Sequence, residues 1–166
     1  MDPFTQLITS VRDRLYRLAL RVTGDADEAE DVVQDVLVKG WRKRREIVNL
    51  DNPPARLLWM TRHQAIDRLR AARLRGERER EAAAPDLDTR TPYRIAAGND
   101  ALGRVERLLA SLPTDQRTVL QLREVEGLEY REIVAATGLT LTQVKVYLHR
   151  GRSRLRQLLT SEMTER

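Results

Sequence analysis

The residues with the plainest chemical meaning lie between Tyr130 and Leu159, where the chain reads YREIVAATGLTLTQVKVYLHRGRSRLRQLL. Lys145, Arg150, Arg152, Arg154 and Arg156 follow one another there, with no acid before Glu162. Tyr130, Ile133, Val134 and Ala136 give the first part an apolar side at helical spacing. Gly138 ends it, because glycine takes the left-handed backbone without a Cβ clash. Thr142 is read as the cap of a second helix with apolar positions Val144, Leu148, Leu155 and Leu158/Leu159. Two helices joined by a tight turn, the second cationic, are what a helix-turn-helix DNA reader requires. The competing reading is an ordinary helical hairpin with a solvated basic face. One-signed charge favours DNA, since a solvated face usually mixes signs.

Other chemistries find little support. The sequence has no P-loop, no glycine-rich dinucleotide turn and no HExxH, and Ser10, Ser111, Ser153 and Ser161 fall in helical or capping contexts. An enzyme is therefore the weakest class. With no cysteine among 166 residues, disulfides and thiolate metal sites are excluded. The two histidines, His63 and His149, fall in different halves, so no metal and no cofactor is expected. A net charge of +5 suits a polyanion partner, while 4% aromatics argue against a surface built mainly on stacked bases. Hydrophobic residues make up 41%, enough for small helical cores. No apolar run approaches the ~20 residues of a membrane span, and Met1-Asp2-Pro3-Phe4 does not open a signal peptide. A soluble, cytoplasmic protein without membrane insertion is expected.

The elements that must position these residues are helical throughout. Phe4, Leu7, Ile8, Val11, Leu15, Leu18, Ala19 and Val22 predict one long helix, stopped at Thr23-Gly24. Asp25 is read as the next N-cap, with Glu28 completing a capping-box-like pair. That second helix is expected to reach about Arg45, with Ala29, Val32, Val33, Val36, Leu37 and Trp41 on one side. Acids open it and Lys39, Arg42, Lys43, Arg44 and Arg45 close it, which complements the helix dipole. Glu46–Asn52 reads as a loop. Pro53-Pro54 opens a third helix with Leu58, Ala65, Ile66, Leu69 and Ala72 inward. A three-helix bundle of about 75 residues follows, residues 1–75.

Residues 76–99 read as a flexible linker, mixed in charge and poor in large apolar side chains, although Glu77–Ala84 could instead extend the third helix. From residue 100 to 160 a four-helix domain is expected. Leu102, Val105, Leu108, Leu109 and Leu112 form its first core stripe, and Val119, Leu120, Leu122 and Val125 its second. The helix-turn-helix completes it, and 161–166 is a tail. The fold class is all-α: two small helical domains on a flexible linker.

Two stretches carry a family resemblance. LYRLALRVTGDADEAEDVVQDVLVKGW, from Leu15 to Trp41, resembles the second conserved region of bacterial RNA polymerase sigma factors of the extracytoplasmic-function (ECF) class. Leu108 to Arg156, LLASLPTDQRTVLQLREVEGLEYREIVAATGLTLTQVKVYLHRGRSRLR, is similar to their fourth, and Ala65–Arg70 (AIDRLR) also fits. A helix-turn-helix alone is common to many regulators. Two matched regions in order, with a linker between, are far more specific.

The resemblance implies a promoter-specificity subunit. Its partners would be core polymerase, through the clamp coiled coil of the largest subunit and the flap, and promoter DNA, duplex at −35 and single-stranded at −10. An anti-sigma protein or another recruiting partner is common in the class, and the free protein would be monomeric. Matching positions for clamp docking are Asp31, Gln34, Asp35 and Val38. Asp31 also suits the helix dipole, whereas Gln34 and Asp35 lie too deep in the helix for that. For the −10 element the positions are Arg42, Arg45, Asn49, Asp51, Asn52, Arg56, Trp59, Arg62 and His63. Arg56 stands where the family commonly has Trp, and His63 where it commonly has Asn. Trp59 either supplies the missing ring or packs on the bundle. For the −35 element they are Thr142, Gln143, Lys145, Val146, His149, Arg150 and Arg152, with Arg152, like Arg154 and Arg156, toward phosphate or in part polymerase, and His149 either a contact or a packed core residue. The family often has Ser and Arg where Val146 and Tyr147 stand, so the sequence read here is expected to differ from its commonest pattern.

Overall fold

A computed structural model describes residues 1–82 and 101–164. The chain divides into two compact units, Met1–Ala96 and Ala97–Arg166.

In the first unit, α1 spans Pro3–Thr23, α2 Ala26–Arg42, α3 Arg44–Val48 and α4 Pro53–Ala82. Asp2 caps α1 by accepting from the backbone N–H of Thr5 at 3.1 Å, and Pro3 fills the first turn at no cost in hydrogen bonds. Gly24 ends the helix at φ 71, donating its N–H to the Leu20 carbonyl. Asp25 caps α2 through Oδ1, which accepts from Asp27 and Glu28 N–H at 2.8 and 3.1 Å. The expected reciprocal arm is absent among the described residues, because Glu28 sends its carboxylate to Arg68 instead. Leu15 and Leu18 of α1, Val32 and Val36 of α2 and Leu57 and Leu58 of α4 are fully buried. Each such side chain contributes about 1.5–3 kcal/mol by leaving water.

Several sequence expectations need correction. Helix α2 stops at Arg42 rather than Arg45, since Lys43 leaves helical geometry at φ −107, ψ 17. A separate short helix, Arg44–Val48, takes the last two residues expected in the second helix and the first three of the expected loop, with Ile47 driven into the core at 1% exposed. Trp41 is not inward: it is 47% exposed and meets Phe4 only edge-on, at 6.0 Å. Ala72 is also exposed, on a part of α4 where 70–75 are all open to solvent. The helix then continues to Ala82, taking the first residues of the expected linker, as the alternative reading allowed. The remainder of that linker lies outside the described residues.

In the second unit, α5 spans Ala101–Ser111 and α6 Thr114–Leu120, continuing into a π-helical turn at Gln121–Val125. Helices α7, Tyr130–Thr137, and α8, Leu141–Thr164, follow. The π turn is closed by the Glu126 N–H on the Gln121 carbonyl, 3.1 Å. Its added residue per turn shifts the register, so Val125, expected inside, is 57% exposed. Val105 is likewise exposed, while Leu108, Leu112, Val119, Leu120 and Leu122 are buried as expected; the Leu102 side chain lies outside the described residues. Arg117, a buried cation, donates to the Ala110 carbonyl at 3.0 Å and Thr114 Oγ1 at 3.1 Å, tying the end of α5 to the start of α6.

Gly138 closes α7 at φ 74. Helix α8 is capped by Thr140, not Thr142: Thr140 Oγ1 accepts the Gln143 N–H at 3.1 Å, and Gln143 Oε1 accepts the Thr140 N–H at 2.9 Å. That is a reciprocal capping box, T-x-x-Q. Val144, Leu148 and Gly151 face the core. A Cβ on Gly151 would lie 2.8 Å from Leu120 Cδ1 and 3.3 Å from its Cγ, so a side chain there requires the buried Leu120 to shift. Gly151→Val should therefore displace Leu120 and destabilise the protein by about 1–3 kcal/mol, read as a lower denaturant midpoint. Thr140→Ala should cost about 1 kcal/mol in the same assay through loss of the cap.

Candidate docking and nucleic-acid interfaces

Asp31, Gln34, Asp35 and Val38 recur at helical spacing and share one side of α2. Asp31, Gln34 and Val38 are exposed, Val38 by 53%, and Asp35 is half-buried. The carboxylates are not simply free. Arg68, reaching across from α4, places Nη1 3.2 Å from Glu28 and 3.4 Å from Asp31, and Nη2 3.0 Å from Asp35 Oδ2. Gln64 Nε2 donates to the same Asp35 oxygen at 3.1 Å, and Lys39 Nζ donates to Gln64 Oε1 at 2.9 Å. The hydrogen bonds to Asp35 and then Glu28 hold the guanidinium above its ordinary pKa. This face thus joins an apolar side chain to carboxylates oriented from behind by a cation. It suits a partner surface that carries its own cations beside an apolar patch.

A second group lies on α3, the turn after it and the start of α4. Arg42, Arg45, Asn49 and Asp51 are exposed. Asn49 Nδ2 donates to the Arg45 carbonyl at 2.8 Å, and Asn52 Oδ1 caps α4 by accepting the Ala55 N–H at 3.2 Å. The Asn52 side-chain oxygen is therefore already used as a helix cap. Along α4, Arg56 sits over the Trp59 ring, 4.5 Å from its centroid, and the His63 ring stacks on Trp59 at 3.9 Å with a 33° tilt. His63 Nδ1 lies 2.9 Å from the Trp59 carbonyl; a carbonyl only accepts, so Nδ1 carries the proton. Trp59 is half-buried, neither a core residue nor a bare ring: one turn before it a guanidinium covers it, and one turn after it an imidazole. Arg62, beside this stack in sequence, is half-buried as well. A parallel pair stands at the end of α2, where Arg44 lies 4.1 Å over Trp41. Cation and ring together form a surface on which an unpaired base and its phosphate can both find a partner.

In the second unit, Thr142, Gln143, Lys145, His149 and Arg150 are exposed on α8 and Val146 is half-buried. His149 is therefore not a packed core residue. With Arg150 and Arg154 it lines a shallow groove against Pro113 and Gln116 of the neighbouring helix start. Gln143 is engaged in the cap, so a base edge would compete with Thr140 for its oxygen while its amide nitrogen stays available. Arg152 is exposed as well and forms an ion pair at the surface. Its Nε donates to Glu124 Oε1 at 2.8 Å, and hydrogen bonding and attraction from that carboxylate hold its guanidinium above the ordinary value. Arg152 thus links α8 to the π turn, and with its side chain 42% exposed it still faces solvent.

Sequence reasoning missed Glu28, Gln64, Arg68 and Glu124 as parts of these surfaces. Each acts on a partner 28 to 40 residues away, so no local spacing announces it. The T-x-x-Q signature at Thr140 was available and would have placed both the cap and Gln143.

Comparison with known proteins agrees with this geometry. Residues 7–75 match sigma-70 region 2, and residues 102–155 match sigma-70 region 4. The ECF RNA polymerase sigma factor SigE of Mycolicibacterium smegmatis is 31% identical over 170 residues, which cover 99% of this chain and 65% of that protein. The ECF sigma factor SigL of Mycobacterium tuberculosis is 34% identical over 137 residues, 81% of this chain and 76% of SigL. Among solved structures, the sigma factor RpoE in complex with the anti-sigma factor NepR, from Bartonella quintana, is similar at TM-score 0.76 and 27% identity, covering 96% of this chain and 98% of that one. CnrH in complex with the cytosolic domain of CnrY is similar at TM-score 0.66 and 25% identity, over 95% and 88%. No helix among the described residues is long and apolar enough to cross a membrane. With both sigma regions in order and relatives alike over most of its length, the chain belongs to the ECF sigma factors of the sigma-70 family, the proteins that bind RNA polymerase and recognise promoters.

Proposed function

We propose that this sigma factor divides promoter recognition among three surfaces. The α2 side with Asp31, Gln34, Asp35 and Val38 docks on the clamp coiled coil of core polymerase. Arg42, Arg45, Asn49, Asp51 and Asn52, with Arg56, Trp59, Arg62 and His63, take the opened −10 strand. Thr142, Gln143, Lys145, Val146, His149 and Arg150 read the −35 duplex in the major groove. The observation that carries the reading is the presence on one chain of a one-signed, exposed face on α8 and an exposed carboxylate-and-apolar face on α2. Domains at 1–75 and 100–160 would hold them, joined through 76–99. The protein acts as a non-catalytic subunit in the cytoplasm, monomeric when free. The similar RpoE and CnrH structures are complexes with NepR and CnrY, which supports an anti-sigma partner here also.

The reading is tested by reconstituted transcription with core polymerase, the purified protein and a library of promoter DNA. Specific start sites are expected, and their absence with core binding intact would end the initiation reading. Gln34→Ala with Asp35→Arg should weaken core binding about tenfold or more, since it removes one contact and reverses the charge of another. Lys145→Ala with Arg150→Ala should lower promoter-specific initiation about 30-fold or more, as expected for two base or phosphate contacts at about 1 kcal/mol or more each. Core binding by that variant should be unchanged, and equal losses in both assays would argue against separate surfaces.

A further inference from the structure

The docking face contains a cation that the docking role does not use. Arg68 has a 29% exposed side chain and contacts three carboxylates that sit at i, i+3 and i+7 of α2. Asp35 Oδ2 receives two donors from inside, Arg68 Nη2 and Gln64 Nε2, and Gln64 is itself held by Lys39. Both donors belong to α4 and are one helical turn apart, so they fix Asp35 from two directions. Its second oxygen, Oδ1, has no partner among the described residues. An aspartate on an exposed helix otherwise samples several rotamers, and ordering it on binding costs free energy. One guanidinium against three carboxylates still leaves the cluster net negative, so attraction to a cationic partner survives.

We infer that Arg68, with Gln64, is a positioning residue that presets Asp35 and Asp31 for polymerase docking. The inference rests on the docking reading above. The opposite role is a latch, in which Arg68 occupies the carboxylates and must be displaced before polymerase can use them. The two roles predict opposite signs, because removing the guanidinium exposes an additional uncompensated negative charge to a cationic partner.

The experiment measures binding of the full-length protein to core polymerase over a range of salt, with thermal melts of each variant. Arg68→Gln is expected to weaken binding about tenfold at physiological salt, chiefly through faster dissociation, even though the face becomes more negative. Arg68→Lys should recover only part of this, because an ammonium cannot fork between carboxylates. Gln64→Met keeps length and charge but drops the donor to Asp35, and should weaken binding about threefold. Should Arg68→Gln lose its fold, the lysine and methionine variants decide the matter alone. Unchanged or tighter binding by folded variants would overturn the inference in favour of a latch or a bystander. Gln34→Ala and Val38→Ala lie on the same face outside the cluster. If they weaken binding while the Arg68 and Gln64 variants do not, only the positioning role fails; if they too have no effect, the docking reading falls and takes this inference with it.

Discussion

The packing of α4 against α1 and α2 is the constraint on which the first unit depends. Ala55, Leu57, Leu58, Thr61 and Ala65 put one side of α4 into the core, and the buried Thr61 hydroxyl satisfies itself on the Leu57 carbonyl at 2.8 Å. Once that side is fixed, the helical period fixes everything else on α4. Arg56, Trp59 and His63 are forced onto a side they share, at i, i+3 and i+7, and stack there. Gln64 and Arg68, one turn apart, are brought over α2 and its carboxylates. A surface suited to unpaired bases and a surface suited to a protein partner are therefore set by the same apolar contacts. A cavity in that contact would move both.

The second unit relies on a different constraint, the close crossing of α6 and α8 at Gly151. A helix that approaches its neighbour this tightly cannot roll without collision against Leu120. Arg152, the next residue, adds a directional tie to Glu124 on the π turn. The exposed side of α8 is consequently held at one rotation, which a major-groove reader needs if Lys145, His149 and Arg150 are to meet base edges in register. Thr140 and Gln143 stiffen the N-terminal end of the same helix, where such contacts concentrate.

What could be read from the sequence follows from how local its cause is. The long helix from Pro3, the stops at Gly24 and Gly138 and the Asp25 cap come from residues within a turn of one another. The buried stripes of α1 and α2 follow in the same way, up to Trp41. There the period alone points inward, but the neighbouring Arg44 offers the ring a cation at the surface. Val125 escapes the helical period because a π turn changes the period itself, and nothing in Gln121–Val125 announces the added residue. Ile47 belonged to a stretch too short to show a period, so its burial could not be separated from a loop. The ties of Arg68 and Arg152 depend on how helices far apart in sequence are superposed, which one sequence does not encode at any fixed spacing. The candidate faces were thus legible as lists of residues, and their internal wiring was not.

That wiring bears on affinity. Nonspecific DNA binding grows with the number of phosphates neutralised, and each cation withheld lowers both affinity and salt dependence. Glu124 pairs with Arg152, so a phosphate approaching that guanidinium meets a competing carboxylate. Glu28, Asp31 and Asp35 gather in the first unit, and Arg68 is spent on them rather than on a polyanion. The net charge of +5 already counts these acids, so pairing leaves it unchanged and only weakens the attraction for phosphate locally, at Arg68 and Arg152. On the proposed reading this is useful, because a sigma factor that bound DNA strongly alone would be titrated by nonspecific sites. Affinity then comes from linkage: once polymerase holds the first unit, the second needs only a modest preference for its site, since its local concentration is raised by the tether. On that reading helix α8 serves orientation over strength, and its selectivity is expressed only in the company of the partner proposed to dock on α2.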